Sequence, residues 1–557
     1  MLNMTSLRIS WGVAISLAVA LCAWAPARGE ELHTAIDRLI EASADGIFAE
    51  QATDHEFLRR LFLDLTGEIP AANDVAEFLE NSAANKRTVM IDQLLKDDRY
   101  PRRMAELFNV MLMERRGTDP AWKRFLVDSF KTNRHWDSLV KTIIEPDLAK
   151  ENEQGAGYFL TKRLEKYGQN PTDYPGLASD IGRLFMGVDL ACAQCHDHLF
   201  VDDYSQADFQ GLYAFVSNTF IRSDTEFPAI GQKVMRKPLE FQSVFEEEMF
   251  TTGPRIPGGA ELAVPEYDNE KEFAVPPDPQ SKAPGVPAFN PLHYLATTLP
   301  SAKNQRFQAN FVNRIWSLMM GTGLVWPLDL HHSDNPATHP ELLSLMAAEF
   351  AQHDFDIKWL VRELALTKVY QRSSILQSPT ESVQIAEAEY RVFRERALSP
   401  EQLMWSILKA TGAKSRYPIE LDDDPQLETT LPTTLDQVQE HFIASFANPP
   451  REPEVEFSPS VRGSLFLLNS ELVQSWVNDV GRNSAERLFK ISDTKVLKIT
   501  DNAEVIRSLY ITVLSRPPTA VELKNMREFL VSQPDRPDAI AQLVWALLSC
   551  NEFLINH

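Results

Sequence analysis

Seven consecutive residues, Cys192-Ala-Gln-Cys195-His196-Asp197-His198, bring two thiols, two imidazoles and a carboxylate together. In Cys-x-x-Cys-His spacing the thiols lie about one turn apart, so each can add across a vinyl group of a porphyrin. The following imidazole is then placed beneath the iron. On this reading Cys192 and Cys195 carry thioether bonds to a c-type haem and His196 is its proximal ligand. The same residues admit other chemistry. Cys192, Cys195 and His198 have Cys-x-x-Cys-x-x-His spacing, a ligand pattern for zinc or another divalent cation, with His196 or Asp197 completing the set. A cation held by His196, His198 and an aspartate would make a metal-binding protein or a hydrolase. A disulfide between the two thiols would leave a non-enzymatic envelope scaffold. Such a bond closes a tiny loop and contributes little entropic stabilisation, and no βαβ pattern surrounds it to indicate a thioredoxin-like site.

A haem at this motif needs a sixth ligand or an open position. Met186 is near in sequence, and His331, His332 and His339 are the distant histidines to consider; His198 is too close to His196 to reach the opposite face. The acidic run Asp202-Asp203-Tyr204 with Asp208 reads as a solvated helix start rather than a cation site.

Cysteine usage sets the compartment. The chain has four cysteines, Cys22, Cys192, Cys195 and Cys550, so there is no disulfide framework to stabilise it. The N-terminus has a charge at Arg8, an apolar run from about Ile9 to Trp24 and the small-residue site Ala25-Pro26-Ala27. That is the layout of a secretory signal peptide cleaved after Ala27, which would remove Cys22. The run is short for a membrane span, and no later stretch is apolar enough for one. The mature chain is expected to be soluble and exported, periplasmic or extracellular. Its formal net charge of −23 argues against a nucleic-acid partner, because nothing would release counterions from a phosphate backbone. A redox partner protein is the partner that the haem reading calls for.

The elements that must position the motif read as helices. Phe57, Leu58, Leu61, Phe62 and Leu65 recur at helical spacing before a stop at Gly67. Lys86 to Leu95 places Val89, Ile91, Leu94 and Leu95 on one side, and Trp122–Phe130 and Trp136–Ile144 follow the same pattern. Prolines crowd the stretch from about 220 to 290, which excludes long helices and leaves an extended linker or a small β-rich insert. Helical signals return from Pro291. Ser399-Pro400-Glu401-Gln402 predicts a capped start, and Asp501 with Glu504 and Thr519 with Glu522 repeat the capping spacing. A closing helix from about Asp538 to Phe553 carries Ile540, Leu543, Val544, Leu547 and Leu548, with Cys550 beside that face as a small hydrophobe. The expected architecture is mainly α: a signal peptide over 1–27, a helical domain over 28–219, the proline-rich insert over 220–290 and a second helical domain over 291–557.

Several segments together resemble a known family. Cys192-Ala-Gln-Cys-His-Asp-His198, Asp208-Phe-Gln-Gly-Leu-Tyr-Ala-Phe215 and Phe57-Leu-Arg-Arg-Leu-Phe-Leu-Asp-Leu-Thr-Gly-Glu-Ile-Pro70 are similar to the planctomycete cytochrome-like domain of exported proteins. Asn310-Phe-Val-Asn-Arg314-Ile-Trp316, Gly321-Thr-Gly323, His339-Pro-Glu-Leu-Leu343, Tyr370-Gln-Arg372-Ser-Ser374, Arg462-Gly-Ser-Leu-Phe466 and the closing Trp545–His557 resemble the planctomycete-specific domain that follows it. The resemblance implies a two-domain exported protein without an assigned reaction. It also makes Arg314, Trp316, His339 and Arg372 candidates for a second-domain surface facing the motif. Leu199 stands where many relatives have proline.

Overall fold

The computed structural model describes residues 29–44, 46–267, 271–376, 386–417, 431–452, 460–483 and 501–557. The expected signal peptide and Cys22 lie outside these residues. The chain is mainly helical, with strands confined to small two-stranded sheets. Among the described residues no helix is long and apolar enough to cross a membrane.

Local chemistry sets most helix boundaries. In Asp54–Thr66 the Thr53 hydroxyl accepts from Glu56 N, Asp54 and Glu56 complement the positive end of the dipole, and Gly67 closes the helix at φ 75°. The capping boxes Ser399/Gln402 and Thr519/Glu522 are both present. Asp501 caps its helix through Ala503 N instead, without a reciprocal bond from Glu504. Two expectations need correction. Val89 is 40% exposed while Ile91 and Leu94 are buried, so the apolar face of Lys86–Leu94 is narrower than the sequence pattern. The closing helix is Arg536–Leu548; the chain then breaks, and Cys550 starts a separate turn, Asn551–Leu554.

Two large hydrophobic cores and one small cluster, Ala214 with Met235 and Phe289, form among the described residues. The larger runs from Leu32 to Phe393 and mixes helices from before and after the proline-rich stretch. Its centre is an aromatic stack: Trp136 lies on Phe311 with ring centroids 4.4 Å apart, and on Phe307 and Phe185 at 5.9 and 6.0 Å. The second core gathers residues 398–553 and takes in Leu63 and Ile69 from the N-terminal part.

The proline-rich stretch folds as antiparallel pairs: β1 (Thr219–Ile221) with β2 (Ile230–Gln232), β3 (Leu239–Gln242) with β4 (Met249–Thr252), and β5 (Phe273–Val275) with β6 (Val286–Pro287). Of the two forms expected from the sequence, this is the small β insert. A last pair, β7 (Arg396–Ala397) with β8 (Ile555–Asn556), brings the end of the chain against helix Asp54–Thr66.

That contact explains two arginines on a helix otherwise lined with apolar residues. Arg59 and Arg60 are at most 1% exposed. Arg59 donates to the carbonyls of Val513 and Phe553 at 3.1 and 3.0 Å, and Arg60 to those of Arg372 and His557 at 2.8 and 3.2 Å. One turn on, Asp64 accepts from the Tyr370 hydroxyl, the Arg396 guanidinium and the Asn556 amide. Buried charges persist where they are paired and hydrogen-bonded, and these charges fasten the C-terminal segment to the front of the fold.

Candidate functional site

The helix Tyr174–Met186 leads into the cysteine motif and ends at Gly187, φ 69°. A Cβ there would lie 2.5 Å from His331 Cδ2 and 2.9 Å from Asn310 Oδ1, so close approach and positive φ both require glycine. The chain leaving that turn is held by the second helical region. Val188 bridges Leu330, Asp189 N donates to Asp329 O at 3.0 Å, and His331 N donates to Gly187 O at 2.9 Å. Leu190 and Ala193 are buried, and these two anchors turn the residues between and after them outward. Cys192 and Cys195 are exposed free thiols on a short 3₁₀ turn, Cys192–Gln194, and its following residue.

Carboxamides hold the turn from beneath. Gln210 Nε2 and Gln206 Nε2 donate to Gln194 O at 3.0 and 3.4 Å, both from helix Gln206–Val216. Asp197 Oδ1 accepts from Gln206 N at 2.7 Å.

The two imidazoles of the motif differ in state. His196 Nδ1 lies 2.6 Å from the Asp197 carbonyl. A carbonyl only accepts, so Nδ1 carries the proton and the Nε2 lone pair is free for a metal. His198 has the opposite arrangement. Its Nδ1 accepts from the backbone N–H of Phe200 and Val201 at 3.2 and 3.0 Å, which puts the proton of the neutral ring on Nε2. Its hydrogen bonds fold the loop after the motif. Among the described residues, the trio of side chains whose ligand atoms converge within 4.8 Å is Glu31, His33 and Glu363, outside the motif. There Glu363 is already engaged by His33 N and Nδ1 at 3.1 and 2.8 Å and by Arg362 at 3.3 Å.

Met186 is fully buried at the end of its helix, so it could ligate a group on the loop surface only if that helix end unpacked. His331 is held against Gly187, and burial, reinforced by the Arg314 charge, pushes its imidazole down to about 4. The acidic run has other partners: Asp203 accepts from Ser333 N and Oγ, and Asp208 pairs with Arg255 at 3.4 Å. Tyr204 is buried between the loop and the second helical region. Its hydroxyl donates to His331 O at 3.3 Å, and its ring packs edge-on against His198 and His332.

Of the other second-region candidates, Arg314 lies closest in connectivity. It donates to Arg183 O at 2.9 Å and pairs with Asp329, within a network behind the loop. In that network Arg183 bonds Glu114 at 2.6 and 2.9 Å, Asp180 at 2.9 Å and Asp329 at 3.1 Å, while Arg163 and Arg116 also pair with Asp180. Burial raises the Asp180 carboxyl, but the three arginines outweigh it and hold it at about 2. Trp316, His339 and Arg372 do not face the motif. They converge instead on Tyr390: Trp316 and His339 pack on its ring, and Arg372 donates to its carbonyl at 2.9 Å.

The residue that the sequence did not reveal is Phe245, at the tip between β3 and β4. Its ring lies 4.9 Å from the His196 ring, and the adjacent Val244 N donates to Cys195 O at 3.0 Å. Only the three-dimensional return of the insert brings it here. Leu199, Phe200, Val244 and Phe245 are all more than 60% exposed, so apolar side chains flank the two thiols. A cavity of about 30 Å³ lined by Asp64, Arg103, Met104 and Ile315, among others, lies within the helices rather than at the motif and is far too small for a porphyrin.

Comparison with known families places two matches in order along the chain. Residues 35–220 match PSCyt2, described as a protein of unknown function (DUF1549), and residues 293–530 match PSD1, described as a protein of unknown function (DUF1553). No curated protein and no solved structure matches.

Proposed function

We propose that this protein is an exported electron-transfer protein holding one c-type haem through Cys192 and Cys195, with His196 as the iron ligand. The observation that carries the reading is the pairing of two exposed, unbridged thiols with a neighbouring imidazole whose Nδ1–H is bound to a carbonyl. A free Nε2 oriented through a hydrogen bond from Nδ1 is the arrangement that suits a histidine for metal ligation. The donor set therefore fits the cofactor. Each thiol can add across one vinyl group without an oxidant, and the name of the family model over 35–220 is consistent with a cytochrome-like domain.

When bound, the haem would supply a one-electron couple. The protein's part is attachment, orientation and access. The carboxamides of Gln206 and Gln210 and the buried Leu190 and Ala193 fix the loop, so the two sulfurs and the imidazole are presented together. Because the thiols open to the surface, a macrocycle there would keep an exposed edge, suited to electron exchange with a partner protein. The N-terminal sequence supports a site of action outside the cytoplasm, where covalent attachment prevents loss of the cofactor.

The reading is tested by expressing the whole chain in a host with cytochrome c maturation machinery. The expected result is a pyridine haemochrome spectrum of the c type and one iron per chain, both lost in the Cys192→Ser/Cys195→Ser double variant. A colourless, iron-free wild-type protein from that host sinks the proposal, and zinc in its place transfers the site to the metal reading.

A further inference from the structure

The hairpin β3–β4 belongs to the insert, yet its tip is built onto the cysteine loop. Gln242 pairs with Met249 at the end of the ladder, Glu246 N donates to Ser243 O at 3.3 Å, and Phe245 N donates to Ser243 Oγ at 3.3 Å, so the tip is an ordered turn. One bond ties it to the motif directly, Val244 N to Cys195 O at 3.0 Å, and Gln206 links the two, its Nε2 reaching both Gln242 O at 3.1 Å and Gln194 O at 3.4 Å. With the backbone fixed this way, the Phe245 ring lies against the His196 imidazole, centroids 4.9 Å apart and planes at 47°. The ring is 68% exposed. A large aromatic held mostly in water by an ordered turn, whose ring contact among the described residues is with the motif histidine, is not explained by burial in a core.

We infer that Phe245 is a positioning residue for His196: it fixes the plane of the imidazole, while the Asp197 carbonyl fixes its tautomer. The inference rests on the haem reading and deepens it. The Nδ1 bond still tolerates some tilt of the ring about Cβ–Cγ, and the Phe245 face narrows that tilt; imidazole orientation tunes an iron site. The insert would thereby adjust a cofactor attached to a different part of the chain.

The test compares whole-chain wild type, Phe245→Ala and Phe245→Tyr, each produced with the maturation machinery. Reduction potential and ferric EPR are measured alongside haem content, with thermal unfolding as the folding control. A shifted potential and altered EPR anisotropy in Phe245→Ala, restored in Phe245→Tyr, are expected. Loss of haem attachment in the alanine variant alone, with unchanged thermal unfolding, supports the inference equally. In haem-free protein with ¹³C-labelled histidine, Phe245→Ala should also move the His196 ring signals while leaving those of His33 and His293 in place. Haem-loaded Phe245→Ala with wild-type potential and EPR overturns the inference and leaves the cofactor assignment standing. Wild-type protein without haem removes both.

Discussion

Cys192, Cys195 and Cys550 are three thiols of unequal reactivity. The first two are exposed, whereas Cys550 is half-buried and burial pushes its thiol up. Thiolate is the nucleophile, so a raised pKa and restricted access both slow reaction. A chain starting at residue 28, made without haem and under reducing conditions, should therefore titrate two thiols rapidly with an aromatic disulfide reagent and the third only on unfolding. In haem-loaded protein the rapid pair should vanish and one thiol remain. Two rapid thiols in both preparations would show that no thioether had formed.

His331 permits a second prediction at the same scale. Its folded pKa of about 4 lies below the unfolded value near 6.5, because burial and the Arg314 charge oppose protonation. The unfolded chain then binds more protons between these limits, so stability falls as pH drops from about 6.5 to about 4. At full extent this is roughly 3 kcal/mol. His557, also held at about 4 by burial, contributes in the same window. Asp180 acts lower, its stabilisation being lost as pH falls from about 4 toward 2. Denaturant titrations from pH 7 to pH 4 should show this slope, and His331→Gln should reduce it without abolishing it. A variant with the full wild-type slope would exclude His331 as a source.

At the scale of elements, what the sequence made legible was local. The capping boxes at Ser399 and Thr519, the stop at Gly67 and the proline barrier to helices after 220 all depend on residues within a turn of one another. The cysteine motif belongs to the same class, since its candidate ligands stand within seven consecutive residues. Contacts between distant segments were not legible. Phe245 reads as one exposed residue of a loop until the β3–β4 ladder places it on His196. Arg59 and Arg60 break an apolar helix pattern for no visible reason, because their partners are backbone carbonyls hundreds of residues away. Trp316, His339 and Arg372 drew attention as polar or aromatic residues in recognisable segments, yet their work is to pack around Tyr390. Residue type marks such side chains as noteworthy but does not say which neighbour they serve.

Across the whole molecule, the two matched regions, 35–220 and 293–530, do not correspond to separate cores. Trp136 from the first stacks on Phe307 and Phe311 from the second, and Leu63 and Ile69 of the first are buried in the core formed by 398–553. Residues 28–219 expressed alone would expose the faces that these side chains cover, a loss well beyond the usual margin of stability. The expected outcome is an aggregating or loosely packed fragment with weak near-ultraviolet circular dichroism, and a single thermal transition for the full chain. A soluble, cooperatively unfolding fragment would show that each region carries a sufficient core of its own.

The anchoring of the C-terminal residues on Arg59, Arg60 and Asp64 bears on how such a chain can be delivered. Arg59 and Arg60 take part of their acceptors from carbonyls at positions 513, 553 and 557, so their helix lacks a complete set of partners until those residues arrive. A segment early in the sequence is therefore among the last to settle. Premature locking is denied to such a polypeptide by its own wiring, which accords with the export proposed above.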